Sequence, residues 1–176
     1  IALAVGMQRM ATRGAIVRRL AAVETLGSTT VICSDKTGTL TRNEMTVRAI
    51  VTAGGRVDVS GAGYVPEGTL RHGGEAIGPG ALADEVEAVI AAGTLANNAE
   101  IVHREGRWSV AGDPTEGALK VLAAKAGLAS EIARRFPRMG EIPFSSERRL
   151  MSTAHEDRDT PGRAVLFGKG APDLLL

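Results

Sequence analysis

The stretch "VICSDKTGTLTRNEMTV", residues 31–47, runs from an apolar, β-branched segment straight into Asp-Lys-Thr-Gly-Thr. A carboxylate followed by small polar residues and a glycine fills a core poorly, because a buried charge needs a partner. It is well suited to presenting one carboxylate to a reactant. Upstream, "TTVIC" (29–33) is apolar without alternation, the pattern of a strand buried on both faces. Residues 7–26 read as a helix, with Gly27 as its stop. Helix, buried strand and polar loop make α/β grammar, in which ligands sit at the carboxyl ends of strands. Asp35 stands at such an end.

After Thr46 the pattern changes. "MTVRAIVTAGGRVDVSG" predicts two strands joined at Gly54-Gly55, followed by a Gly- and Pro-rich loop over 61–80 and a helix over 81–99. "EIVHREGRWSVAG" predicts a hairpin around Glu105-Gly106. "DPTEGALKVLAAKAG" predicts a helix with Asp113 as N-cap, Pro114 at its first position, Glu116 closing a capping box and Gly127 past its end. A short helix near 130–135 stops before Pro137, and "EIPF", "RLMSTAHE" and "RAVLFGKGA" read as strands. Hairpins interleaved with helices indicate an α+β unit, an antiparallel sheet with flanking helices. The boundary falls near Thr46, giving segments 1–46 and 47–176.

With 176 residues and 44% hydrophobic content, the chain can bury one core or one and part of another. A net charge of +1 gives no sign of a nucleic-acid surface. Cys33 is the one cysteine, which excludes an internal disulfide and a Cys-rich zinc site. His72, His103 and His155 are dispersed among polar residues without ligand spacing, so a surface position is expected for each. The opening "IALAVGM" is far shorter than the ~20 residues of a membrane span. Arg9, Arg13, Arg18 and Arg19 follow it, which fits the cytoplasmic end of a membrane helix and an ordinary amphipathic helix equally. Both ends read as cut, without a targeting signal. "GRAVLFGKG" resembles a phosphate-binding loop, but its glycine spacing is wrong and Gly170 replaces the required hydroxyl residue.

A carboxylate can attack phosphorus if a metal offsets the charge of both partners. Asp35 is the candidate nucleophile and Lys36 can offset phosphate charge. The peptide N–H groups and hydroxyls of Thr37, Gly38 and Thr39 can cradle a transferred group. A phosphatase of this strand-loop type would need a second Asp two residues on, as general acid and base. Thr37 stands there instead. A phosphorylated Asp35 should therefore persist as an energised state.

"DKTGTLT" is also specific as a family string: residues 33–47 resemble the phosphorylation motif of P-type cation-transporting ATPases. "TRNEMTV" looks like its continuation in the type II, calcium-pump-like group. The opening 27 residues resemble the exit of a membrane helix and its stalk, which tips the reading of the N-terminus. "GDPTEGAL", "PFSSERRLMS" and "FGKGAPD" resemble three motifs of the nucleotide-binding domain.

The resemblance implies that Asp35 receives the γ-phosphoryl group of ATP and that Asp35 and Thr37 hold Mg²⁺, Thr37 through its main-chain oxygen. It implies that Phe144 stacks on adenine, with Glu116, Lys169 and Gly170 lining the same pocket and Arg149 near the nucleotide. Ser146 departs from the pattern where many relatives carry a phosphate-reaching arginine, and Asp173 stands where glutamate is usual. The implied fold is an α+β nucleotide-binding domain joined to the first helix and strand of a haloacid-dehalogenase-like phosphorylation domain. The implied partners are MgATP, the remainder of a membrane pump and a transported cation bound elsewhere, with calcium suggested by "TRNEMTV" and "GAGYVPEG". The implied place is the cytoplasmic face of a membrane. The chain by itself is expected to bind nucleotide without turnover. The competing reading is a soluble haloacid-dehalogenase-type phosphatase with an inserted cap, disfavoured by Thr37. With one strand of its sheet, segment 1–46 cannot bury its apolar face.

Overall fold

The computed structural model describes residues 2–19 and 21–175. Ile1, Leu20 and Leu176 lie outside the described residues, so the expected 7–26 helix is described on either side of Leu20. The chain divides into two compact units, residues 1–42 and 43–176.

In the first unit, two helices, α1 (Ala2–Ala11) and α2 (Ala21–Gly27), replace the single expected one. Gly14 is the cause. At φ +79° it occupies the left-handed region that glycine enters freely. The Ala15 N–H donates to the Met10 carbonyl (2.9 Å) and the Gly14 N–H to the Ala11 carbonyl (3.0 Å), a Schellman stop. The Ser28 and Thr29 hydroxyls end α2 by donating to the Thr25 and Leu26 carbonyls, at 2.9 and 2.8 Å.

The expected strand over 29–33 does not form, and Val31 and Ile32 are 75% and 88% exposed. A strand apolar on both faces needs neighbours at both edges and cover above and below. No described residue pairs with it, so the α/β arrangement expected for 1–46 is not seen. No helix among the described residues is long and apolar enough to cross a membrane.

The second unit is α+β. Strands β1 (Ala49–Thr52), β2 (Gly55–Val59), β3 (Leu70–His72) and β4 (Glu75–Ala76) form an antiparallel meander in chain order. The last two correct the expected loop over 61–80: Gly73 and Gly74, at φ +58° and +89°, make the tight turn between them. Strands β5 (Glu100–Arg104) and β6 (Arg107–Ala111) form the expected hairpin, turned through Glu105 and Gly106, both at positive φ. Strands β7 (Arg138–Ser145), β8 (Leu150–Glu156) and β9 (Ala164–Gly170) form a third antiparallel sheet with β8 central. The rejected loop-like string lies largely in β9.

Helix α3 (Ala81–Leu95) is the hub. Its Val86 and Ile90, one turn apart, and Leu95 near its end bury in one core with Ile50, Val57 and Val59 of the first sheet and Leu122 and Ala123 of α4 (Pro114–Lys125). Helix α5 (Ala129–Arg135) adds Ile132 to the same core, with Phe136 and Phe167 at its margin. Helix α6 (Pro172–Leu175) follows β9 directly.

Two clamps fix the parts that matter below. The Arg138 guanidinium donates to the Leu95 and Asn97 carbonyls (2.7 and 2.6 Å), satisfying the orphan end of α3. Gly117 lies so close under β6 that an added Cβ would come within 2.4 Å of Val110 Cγ1. Only glycine lets the hairpin seat on the first turn of α4.

His155 contradicts the expected surface position. It alternates with Met151 and Thr153 on the buried face of β8 and is 1% exposed. Its Nδ1 donates to the Phe136 carbonyl at 2.8 Å, and Nε2 has no partner. Burial pushes its pKa down against the pull of that carbonyl, and the charges of Arg138 and Lys120 push the same way as burial.

Candidate functional site

Helix α4 begins as its sequence dictates. Asp113 Oδ1 accepts from the Thr115 N–H (2.8 Å) and the Glu116 N–H (3.1 Å), and Pro114 fills the first helical position. These backbone bonds, chiefly that of Glu116, hold the Asp113 carboxyl below its usual range against the opposing effect of burial. The second half of the expected capping box is not made, because Glu116 turns elsewhere. Its Oε2 accepts from the Asn98 N–H at 2.9 Å and its Oε1 from Lys169 Nζ at 2.6 Å. The Glu116 carbonyl accepts from the Asn97 side-chain amide at 2.8 Å. The Asn97-Asn98 pair after α3 therefore fixes Glu116 from two sides, a role that no short-range pattern announces.

Lys169 reaches Glu116 from β9. In sheet register Lys169 pairs with Met151 of β8. On the other edge of β8, Ile142 pairs with Ser152 and Ser145 with Leu150, so Pro143 and Phe144 together oppose Met151 in a β-bulge. Phe144, Met151 and Lys169 thus form one row across the sheet, and Glu116 closes it from α4. Met151 is buried as the floor, whereas the Phe144 side is open, at 56% exposure. The Glu116 and Lys169 side chains are 17% and 26% exposed.

Arg149 sits two residues before Met151, at the end of the β7–β8 turn and at φ +48°. Its guanidinium donates to Asp173 Oδ2 at 2.7 Å. Gly170, expected to permit close approach of a ligand, instead lets the backbone of β8 approach: an added Cβ would lie 2.5 Å from the Arg149 carbonyl oxygen. Four of the five expected nucleotide residues thus have their positions fixed by one another or by the same segment, and Phe144 is left open. A cleft of about 340 Å³ lined by residues including Asp84, Arg135, Phe136, Asp157 and Phe167 lies toward the opposite end of β9. None of the expected residues lines it.

Asp35, in the first unit, is exposed, and its Oδ1 accepts the Lys36 N–H at 2.7 Å. Residues Lys36–Leu40 form a wide turn closed by the Thr41 N–H on the Lys36 carbonyl at 3.0 Å, with Gly38 left-handed at φ +77°. The Gly38 N–H, one of three expected to cradle a phosphoryl group, donates to the Thr41 hydroxyl at 3.4 Å. Lys36, Thr37 and Thr39 are exposed on the same turn.

Residues 85–176 match the family described as P-type ATPase, cytoplasmic domain N. The chain belongs to the P-type ATPases. It is 48% identical over 177 residues to the probable cation-transporting ATPase F of Mycobacterium tuberculosis, covering 100% of this chain and 19% of that protein. It is 45% identical over 181 residues to the cation-transporting ATPase pma1 of Synechocystis, covering 100% and 20%. To the calcium-transporting ATPase type 2C member 2 of Homo sapiens it is 44% identical over 179 residues, covering 100% and 18%. The chain thus spans about a fifth of the length of these relatives. Within the domain N match lie α4, β7, β8 and β9, and with them Glu116, Phe144, Arg149, Lys169 and Gly170.

Proposed function

We propose that this chain is the nucleotide-binding and phosphoryl-accepting portion of a cation-transporting P-type ATPase, in which ATP bound at the Phe144–Lys169 row phosphorylates Asp35. The observation that carries this reading is the row itself: an open aromatic ring, a buried methionine floor and a lysine aligned by strand register, with the lysine paired to Glu116 of α4. Such a site takes a flat base on the ring and leaves polar groups at its far wall. A haloacid-dehalogenase-type phosphatase fits less well, because Thr37 stands where that chemistry needs an acid.

The Asp35 carboxylate and the Thr37 carbonyl are hard oxygen donors of the kind Mg²⁺ takes, in company with phosphate and water oxygens. Among the described residues no group of three or more His, Cys, Asp or Glu is placed to hold a metal, so these two oxygens supply only part of a shell. When bound, the ion would neutralise phosphate charge and so permit approach of the carboxylate. Asp35 Oδ2 would attack the γ-phosphorus in line as the bond to the β,γ-bridging oxygen breaks and ADP leaves. The acyl-phosphate would persist for want of a neighbouring acid. A hinge near Thr46 would bring nucleotide and Asp35 together. The transported cation, with calcium as the reading from the type II style, would bind in membrane segments of the longer protein, and this chain would lie on the cytoplasmic face.

The test is phosphorylation of the full-length protein by γ-labelled ATP. The expected label is hydroxylamine-sensitive and absent from Asp35→Asn. Equal labelling of that variant contradicts the reading.

A further inference from the structure

Three cations near the row, Lys169, Arg148 and Arg149, each have a partner, and the partners differ in how readily they can be exchanged. Lys169 is held by Glu116, whose second oxygen is committed to the Asn98 N–H, and both side chains are largely buried. The Arg148 guanidinium donates to the Leu150 carbonyl at 3.1 Å. Arg149 alone of the three is held by an exposed carboxylate, with the Arg149 and Asp173 side chains 53% and 60% exposed.

The backbone of Arg149 is pinned independently of that ion pair. Its N–H donates to the Ser145 carbonyl at 2.7 Å, and its carbonyl accepts from the Ala171 N–H at 3.0 Å. Gly170, with no room for a Cβ, sits against the same carbonyl. The segment 168–173 therefore places Arg149 by main-chain contacts and then neutralises it with Asp173. Loss of the carboxylate would free the guanidinium without releasing the backbone that aims it.

Resting on the nucleotide reading above, we propose that Asp173 sets nucleotide affinity by competing with the phosphates of ATP for Arg149. In the free protein the carboxylate occupies the guanidinium. With nucleotide bound, a phosphate oxygen takes its place and Asp173 turns to solvent. An exposed ion pair contributes little, whereas a guanidinium meets phosphate through paired, charge-assisted hydrogen bonds, so the exchange runs toward phosphate. The competing carboxylate makes binding weaker than the site would otherwise allow.

The experiment is calorimetric titration of the 176-residue chain, wild type and Asp173→Asn, with ATP and with adenosine. The expected result is ATP binding about two- to fivefold tighter in the variant, adenosine binding unchanged, and the gain lost at high salt. In an Arg149→Gln background, Asp173→Asn should bring no gain. ATP affinity that is unchanged or weaker in Asp173→Asn overturns the proposal. So does a gain that survives Arg149→Gln, which would reflect the general field of the carboxylate. If Asp173→Asn does not fold, wild-type Arg149 side-chain resonances decide: they shift on addition of tripolyphosphate if Arg149 changes partner and stay fixed if it does not. ATP binding indifferent to Phe144→Ala would fail the nucleotide reading itself, a result distinct from failure of Asp173 alone.

Discussion

Phe144→Ala separates a residue kept for packing from one kept for a ligand. A fully buried phenylalanine removes roughly 200 Å² from water, and its truncation in a core costs about 3–5 kcal/mol. Phe144 is 56% exposed, so about 90 Å² is buried, worth about 2 kcal/mol as an upper bound at about 25 cal/mol per Å². Alanine keeps part of that contact, which leaves a stability loss of about 1 kcal/mol. Stacking of a base on an aromatic ring is worth about 1–3 kcal/mol by alanine substitution, or roughly a five- to hundredfold loss of affinity. Urea unfolding gives the first quantity, and titration with ATP, adenosine and tripolyphosphate gives the second. The expected pattern is a small stability loss, a large loss for ATP and adenosine, and none for tripolyphosphate. A stability loss of core size, or ATP affinity within about twofold of wild type, refutes the stacking assignment.

The Glu116–Lys169 contact should appear as non-additivity. A urea double-mutant cycle with Glu116→Gln and Lys169→Met should give a coupling of about 1–2 kcal/mol, and additive losses would show the pair is not formed. His155 titrates below its unfolded value of 6.5, so near and below that pH the unfolded chain binds more protons than the folded one. Stability should therefore fall as pH is lowered through this window. His155→Asn, which can keep a donor toward the Phe136 carbonyl, should reduce that slope in thermal melts, and an unchanged slope would remove His155 as the cause. Gly117→Val, forced against Val110, should destabilise by about 2 kcal/mol or more in urea unfolding, and a neutral result would mean the hairpin does not seat on α4 as described.

Helix α4 was legible because its ends are written in adjacent residues: Asp113 and Pro114 at the start, Gly127 past the finish. The hairpins at Gly54 and Glu105-Gly106 were legible for the same local reason. Gly14 is as strong a stop signal as Gly127, but the Arg- and Ala-rich sequence around it continues a helical pattern, and the break was missed. Gly73-Gly74 was absorbed into a glycine-rich loop although it joins two short strands. The burial of His155 could have been read from its period-2 spacing with Met151, yet its polar surroundings pointed outward. The apolar 29–33 segment shows the reverse failure: its composition is that of a strand, but strand formation depends on partners that the described residues do not supply.

The site divides in the same way. The identities of Glu116, Phe144, Arg149, Lys169 and Gly170 came through resemblance to a family. Nothing local brings Lys169 to Glu116 across 53 positions of sequence, or sets Phe144 in the same row through a bulge. Those relations depend on the pairing of β7, β8 and β9 and on the seating of α4, which are tertiary facts. The ion pair from Arg149 to Asp173 is of the same kind.

Adenine nucleotide should bind at the row formed by β7, β8, β9 and the start of α4. Backbone amide shift mapping of the chain during ATP titration tests it most directly. The largest shifts should fall on Phe144, Glu116, Arg149, Lys169 and Gly170. Shifts centred on the Asp84, Arg135 and Asp157 cleft, or none at saturating ATP, would contradict it.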